Sequence, residues 1–138
     1  MPKPRFEESL KFLRKDIRLG AFVISHGPIT HRRKHAGHAF QSLAEAIIYQ
    51  QLSGKAADTI LKRFIALFPN TKFPSPEQVL KIKTQTLRTA GLSGQKASYL
   101  KDLADKFKNG TINPKLFSKM TDAKIIEHVV AVKGIGAW

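Results

Sequence analysis

The sequence predicts an all-α fold, and three features lead there. Apolar residues recur at three- and four-residue spacing along most of the chain, the period of one face of a helix. Helix-starting residues, Ser53, Ser75-Pro76, Ser93 and Thr121, stand directly before these stripes. No two alternating apolar–polar runs joined by a tight turn suggest a pair of strands.

The elements follow in order. Phe6, Leu10, Leu13, Ile17, Leu19 and Phe22 share one face, which predicts a helix over 6–23. Ser25-His26-Gly27-Pro28 breaks it, with His26 as a helix-end residue, and a basic loop runs from Thr30 to His38. Phe40, Leu43, Ala44, Ile47 and Ile48 form the stripe of a helix ending near Tyr49. Gln50-Gln51-Leu52-Ser53-Gly54 interrupts, and Ser53 caps a second long helix carrying Ile60, Leu61, Phe64, Ile65 and Phe68. Pro69-Asn70 ends it. Ser75-Pro76-Glu77-Gln78 is a capping box with proline at the first helical position, followed by Val79, Leu80 and Ile82. A short helix around Leu87 stops at Gly91. Ser93 then caps a helix with Ala97, Leu100, Leu103, Ala104 and Phe107 inward, ending at Asn109-Gly110. Asn113-Pro114 opens a short turn through Leu116 and Phe117. Thr121-Asp122 opens the last helix, with Ile125, Ile126, Val129 and Val130 inward. The total is about seven or eight short helices. Phe64, Phe68 and Phe107 sit at core spacing.

At 138 residues the chain has the length of one ordinary domain. It divides into an N-terminal helical segment with its basic loop, 1–38, and a main helical body, 39–138. Hydrophobic residues make up 42%, enough to pack a core. Cysteine is absent, which removes disulfides, thiolate catalysis and cysteine-based zinc sites. No apolar run reaches the roughly eighteen residues that span a bilayer. The segment from Met1 to Glu8 lacks the apolar centre of a secretory signal. The expected protein is soluble and intracellular: in cytoplasm or nucleoid, or in a eukaryotic nucleus.

Charge narrows the function. Lys and Arg number 24 against 10 Asp and Glu, a net charge of +14. The excess is spread out: residues 1–38 hold 9 basic and 3 acidic residues for +6, and residues 39–138 hold 15 and 7 for +8. Such a body attracts polyanions, nucleic acid first and anionic membrane surfaces second. A basic protein with no particular partner is the bland alternative.

Three motifs sharpen this. Val132-Lys133-Gly134-Ile135-Gly136-Ala137-Trp138 reads as a helix end, two glycines flanking an isoleucine, and the start of another helix. Glycine at 134 and 136 permits positive φ and close backbone approach. The amides of such a turn form a nest for a phosphate oxygen, with Lys133 adding charge beside it. A plain glycine-rich helix stop is the alternative. The other motifs are Phe40-Gln-Ser-Leu-Ala-Glu-Ala-Ile-Ile-Tyr-Gln-Gln-Leu-Ser-Gly-Lys-Ala-Ala57 and Ala90-Gly-Leu-Ser-Gly-Gln-Lys-Ala-Ser-Tyr-Leu100. In this order and spacing the three resemble the DNA-3-methyladenine glycosylase II group of the helix-hairpin-helix DNA glycosylase superfamily. The resemblance covers roughly residues 16–138, from Asp16-Ile-Arg-Leu-Gly20 through His26-Gly-Pro28 to the end.

The resemblance implies base excision repair: an alkylated purine is rotated out of the duplex and its N-glycosidic bond hydrolysed. Gln51 matches the family's wedge, whose amide both donates to and accepts from the orphaned partner base. Leu52 beside it is expected to pack inward. Ser53 caps its helix, touches the minor groove, or does both, and Gln50 is a wedge neighbour or a helix-end partner for backbone. Lys133, Gly134 and Gly136 are expected to hold the DNA backbone without reading sequence.

The family's catalytic aspartate, which stabilises the oxocarbenium-like sugar and orients the water, follows the hairpin. The sequence ends at Trp138. No catalytic residue is therefore assigned, and Asp102, Asp122 and Glu127 match no family position. The expectation is an incomplete fold, cut at the hairpin, that binds duplex DNA weakly and is inactive. Val129, Val130, Ile135 and Trp138 would then be uncovered.

Trp138 stands where the lyase branch of the superfamily carries its Schiff-base lysine. This points to the monofunctional, hydrolytic branch. Its indole either stacks on a cationic base as a pocket wall or packs in the core. The chemistry needs no cofactor, although a monovalent cation could bridge hairpin carbonyls to phosphate. The implied partner is double-stranded DNA with alkylated bases, with no membrane and with a monomer at full length. The rivals are a non-catalytic damaged-DNA binder and a basic helical RNA-binding module. His31, His35 and His38 share a loop at spacings that would suit zinc on a helix, but Arg32-Arg33-Lys34 beside them favours phosphate contact or solvation. His128 reads as a helix-face residue.

Overall fold

The computed structural model describes residues 6–27 and 38–136. The chain divides into two compact units, 1–34 and 35–138. Every regular element among the described residues is helical, with no strand.

The first unit carries α1 (Phe6–Leu13) and α2 (Leu19–His26). The single helix expected over 6–23 is therefore two. Asp16 makes the break: its Oδ1 accepts from the amides of Arg18 and Leu19, both at 2.8 Å. Those two hydrogen bonds hold the Asp16 carboxyl below its usual range. A short polar side chain that satisfies backbone donors in this way offers the chain an alternative to continuing the helix. Gly20 is required by the same corner, because a methyl there would lie 2.6 Å from the Arg14 carbonyl oxygen. Ile17, placed inward by the helical spacing, falls in the break and is 96% exposed. Leu19 and Phe22 are exposed as well. Phe22 stacks on His26 with ring centroids 3.9 Å apart.

The second unit contains α3 (Ala39–Tyr49), α4 (Gly54–Ala66), α5 (Pro76–Lys81), α6 (Thr84–Thr89), α7 (Gly94–Lys108), a 3-10 turn (Pro114–Lys119) and α8 (Asp122–Val130). Its helix starts follow the sequence signals. Ser53, Ser75, Ser93 and Thr121 each accept from the amide three residues on, at 3.4, 3.3, 3.1 and 3.3 Å. Gln78 closes the capping box by accepting from the Ser75 amide at 2.9 Å.

Helix α7 packs against α3, α5 and α6. Its buried Ala97, Leu100, Leu103 and Ala104 meet Ala44, Ile47 and Ile48 of α3, Phe64 of α4, Val79 of α5 and Leu87 of α6 in one core. Phe40 stands edge-on to Phe73 and Phe107 at this core's margin. Lys101, at the edge of the buried face of α7, reaches the carbonyls of Leu80 (2.8 Å) and Ile82, the end of α5.

The last helix differs from expectation. None of its residues is fully buried, and Ile126 is 47% exposed. Val130 is exposed too, while Ile125 and Val129 are half-buried. The fully buried residue follows the helix: Val132, 1% exposed, inserts into the core. Inward direction for α8 is thus set by the turn after it rather than by its own stripe.

Removal of the Phe64 ring, which is wholly buried, is expected to cost about 3–5 kcal/mol. The equivalent Phe12→Ala change, at a ring that is 77% exposed, should stay within about 0.5 kcal/mol. Urea denaturation of the two variants tests this; equal losses would contradict the core assignment.

Candidate nucleic-acid interface

Two loops far apart in sequence meet at one end of α7. The first follows α3. Gln50 leaves the helix extended, and Gln51 takes φ 56°, a left-handed conformation that costs a non-glycine residue about 1–2 kcal/mol. The Leu52 amide closes the turn on the Tyr49 carbonyl at 3.3 Å, and Ser53 begins α4. Gln51 is exposed at the apex. Leu52, expected to pack inward, is 39% exposed. The left-handed residue before it turns the chain so that both side chains stand at the tip. Tyr49 donates its hydroxyl to Asp58 on α4, and this bond to a carboxylate pushes the phenol up in pKa.

The second loop follows α8. Lys133 donates its amide to Asp102 Oδ2 at 2.8 Å, and Ile135 donates to the Val132 carbonyl at 3.2 Å. Gly134 takes φ 85°, and a methyl there would fall 2.3 Å from the Tyr99 ring, so only glycine fits between ring and turn. Ile135 packs half-buried against the core. Two amides of the expected phosphate nest, those of Lys133 and Ile135, are thus engaged inside the protein. Among the described residues, those of Gly134 and Gly136 have no protein acceptor. Lys133, Gly134 and Gly136 are all exposed.

One hydrogen bond joins the loops. Gln50 Nε2 donates to the Gly134 carbonyl at 2.9 Å across 84 residues of sequence. It sets exposed Gln51 beside the exposed glycine elbow. The floor under both is one face of α7, where Lys96, Tyr99 and Asp102 recur at three-residue intervals. Lys96 Nζ donates to the carbonyls of Ile48 and Gln50, each at 2.7 Å. Tyr99 lies under Gly134, and Asp102 holds the Lys133 amide and pairs with Lys106 Nζ at 3.0 Å. Burial raises the Asp102 carboxyl, but the Lys133 amide and the Lys106 ammonium outweigh it and leave it below the ordinary range. Desolvation lowers Lys96.

Of the residues singled out in the sequence, Gln50 is bonded to Gly134, and Gln51 follows Gln50 directly in the chain. Ser53 is a helix cap with its side chain on the Ala56 amide, and Gln50 is a backbone partner. Trp138 lies outside the described residues, as do His31 and His35; His38 is exposed. Among the described residues no group of three His, Asp or Glu side chains is placed to hold a metal. The α7 face was missed. Its signal is the recurrence of Lys96, Tyr99 and Asp102 along one flank of the apolar stripe of Ala97, Leu100, Leu103 and Ala104.

The glycine elbow carries Lys133 and two amides, those of Gly134 and Gly136, that have no acceptor among the described residues, and it is bonded to a projecting polar turn. Residues 44–135 match the HhH-GPD superfamily of base excision DNA repair proteins, and the chain belongs to this superfamily. Over 100 residues it is 33% identical to DNA-3-methyladenine glycosylase 1 of Schizosaccharomyces pombe, covering 72% of this chain and 44% of that one. Over 109 residues it is 38% identical to the DNA-3-methyladenine glycosylase of Saccharomyces cerevisiae, covering 72% and 36%. The chain therefore spans less than half the length of these relatives. The solved structure of the Schizosaccharomyces pombe 3-methyladenine DNA glycosylase, in complex with abasic DNA, superposes with a TM-score of 0.82 at 28% identity. It covers 95% of this chain and 65% of that one.

Two outcomes are expected. Gly134→Ala should destabilise the protein by about 1–3 kcal/mol through positive φ and contact with Tyr99, read as a lowered melting midpoint; an unchanged midpoint would contradict the docked elbow. A depressed carboxyl pKa adds stability that is complete above its unfolded value near 4 and is lost as pH falls through the lower folded value. The stability gap between wild type and Asp102→Asn should therefore be widest at neutral pH and narrow in acid. A gap that is constant with pH would remove Asp102 as a charged anchor.

Proposed function

We propose that residues 1–138 form the backbone-gripping and lesion-probing part of a DNA N-glycosylase of the alkylpurine, 3-methyladenine-like type. The observation that carries this reading is the Gln50–Gly134 hydrogen bond, which holds exposed Gln51 next to the elbow. The free amides of Gly134 and Gly136 suit one phosphate oxygen each, and the Lys133 ammonium supplies charge beside them. A phosphate held there fixes the duplex without reading its sequence. Gln51 then enters the gap left by an extruded nucleotide, and its amide pairs with whichever base remains opposite. The names of the relatives, and the abasic DNA bound by one of them, support the same substrate class.

Hydrolysis asks for a carboxylate facing the sugar. Asp102 is engaged by Lys133 and Lys106, and Asp58 by Tyr49. The reading for residues 1–138 alone is binding without base release; Trp138, outside the described residues, is proposed as a wall of the base pocket in the monofunctional branch. Cationic alkylated bases leave readily, so the protein contributes a pocket, a charged neighbour and a positioned water rather than a cofactor. A monovalent cation between elbow carbonyls and phosphate is compatible with this scheme, and a monomer is expected.

Fluorescence anisotropy with an intact duplex, the same duplex containing an abasic analogue, and structured RNA tests the proposal. Wild-type protein should prefer the abasic duplex, and a preference for RNA would overturn the reading. Gln51→Ala should remove most of the abasic preference while leaving intact-duplex affinity nearly unchanged. Lys133→Ala should weaken all duplexes and lower the salt slope by about one unit. Release of 3-methyladenine from alkylated DNA by residues 1–138 above the buffer rate would refute binding without hydrolysis.

A further inference from the structure

We propose that Lys96 is a positioning residue for the probing turn: from the neighbouring helix α7 it supplies the C-terminal cap that α3 lacks, and so presets Gln51. The inference rests on the reading of Gln51 as the probe.

A helix end leaves its last carbonyls without intrahelical partners, and a basic residue in the last turn or a glycine after it commonly satisfies them. Helix α3 has neither. Its last turn holds no basic residue, and Gln50 follows in extended conformation. The Lys96 ammonium fills this role from outside, 2.7 Å from both the Ile48 and Gln50 carbonyl oxygens. Those carbonyls flank Tyr49, and the second belongs to the peptide that leads into Gln51. An ammonium carries three donors on one atom, so a single lysine can bridge two carbonyls.

The placement of Lys96 is unfavourable for its own helix. It sits in the first turn of α7, where the helix dipole opposes positive charge, and burial depresses its affinity for the proton. The benefit falls on the turn after α3. The root of the side chain is fixed as well, since the Lys96 amide is held by the Ser93 cap at 3.1 Å. The turn is then gripped twice, by Lys96 on its carbonyls and by the Gly134 carbonyl, which accepts from the Gln50 side-chain amide. The elbow has separate anchors in Tyr99 and Asp102. Loss of the Lys96 ammonium should therefore disturb Gln51 and leave the phosphate grip in place.

The test uses Lys96→Met, which keeps the apolar stem, and Lys96→Cys. The protein has no cysteine of its own, so aminoethylation of Lys96→Cys returns an ammonium at nearly the original reach and nowhere else. Anisotropy against abasic and intact duplexes is combined with amide hydrogen exchange at Leu52, whose N–H closes the turn. Both unmodified variants should lose the abasic preference about tenfold, retain intact-duplex affinity, and exchange Leu52 faster. Aminoethylation should reverse all three changes. Equal loss on both duplexes, an unchanged preference with unchanged exchange, or no recovery on aminoethylation would overturn the proposal. So would loss of the helical circular dichroism signal in Lys96→Met, which would make the lysine a general stability residue. Should wild-type protein show no abasic preference, the function proposed above fails, and Leu52 exchange alone decides whether Lys96 positions the turn.

Discussion

Neither loop of the interface has enough local structure to define its own position. Each is a few residues long, and one contains a strained glutamine and the other a glycine at positive φ. Fixing such segments in isolation would cost backbone entropy with little burial in return. The non-local hydrogen bonds along one face of α7 supply what the loops lack. Asp102 takes a backbone donor from the elbow, Tyr99 gives it a floor, and Lys96 satisfies two carbonyls at the end of α3. The adjoining face of α7 is buried in the core, so this support is as rigid as the packing of Leu100 and Leu103.

The same geometry explains how a scarce set of acidic residues is used. Against a net charge of +14, several carboxylates hold local structure rather than decorate the surface. Asp16 ends one helix and starts the next, Asp58 accepts from Tyr49, and Asp102 anchors the elbow. Asp16 and Asp58 remain exposed and Asp102 is half-buried; the large excess of basic residues favours long-range attraction to a polyanion. Asp102 binds the amide of Lys133, and those of Gly134 and Gly136 have no acceptor among the described residues.

Most of the second unit could be read from the amino acids because its signals are local. The serines at 53, 75 and 93 and the threonine at 121 act within one turn of themselves, and the apolar stripes of α3, α4 and α7 find partners that share their period. The failures have physical reasons too. Over 6–23 the helical spacing is genuine, but the Asp16 side chain outcompetes continuation of the helix. For α8 the stripe exists, yet burial is taken by Val132 one turn later. Leu52, expected inward, is exposed, and the left-handed Gln51 reverses the chain before it. Within the interface, Gln51, Lys133, Gly134 and Gly136 were identifiable as motif residues. Their supports at Lys96, Tyr99 and Asp102 act through contacts with loops more than thirty residues away, for which spacing along the chain carries no sign.

The bond from Gln50 to the Gly134 carbonyl has a further bearing, on the order in which the molecule is made. Its two ends leave the ribosome 84 residues apart. Translation adds roughly 5–20 residues per second, so Gln50 emerges several seconds before its acceptor exists. During that interval α3, α4 and α7 already have the residues to pack together. The nascent chain thus forms its support first, and the elbow closes the latch when it emerges.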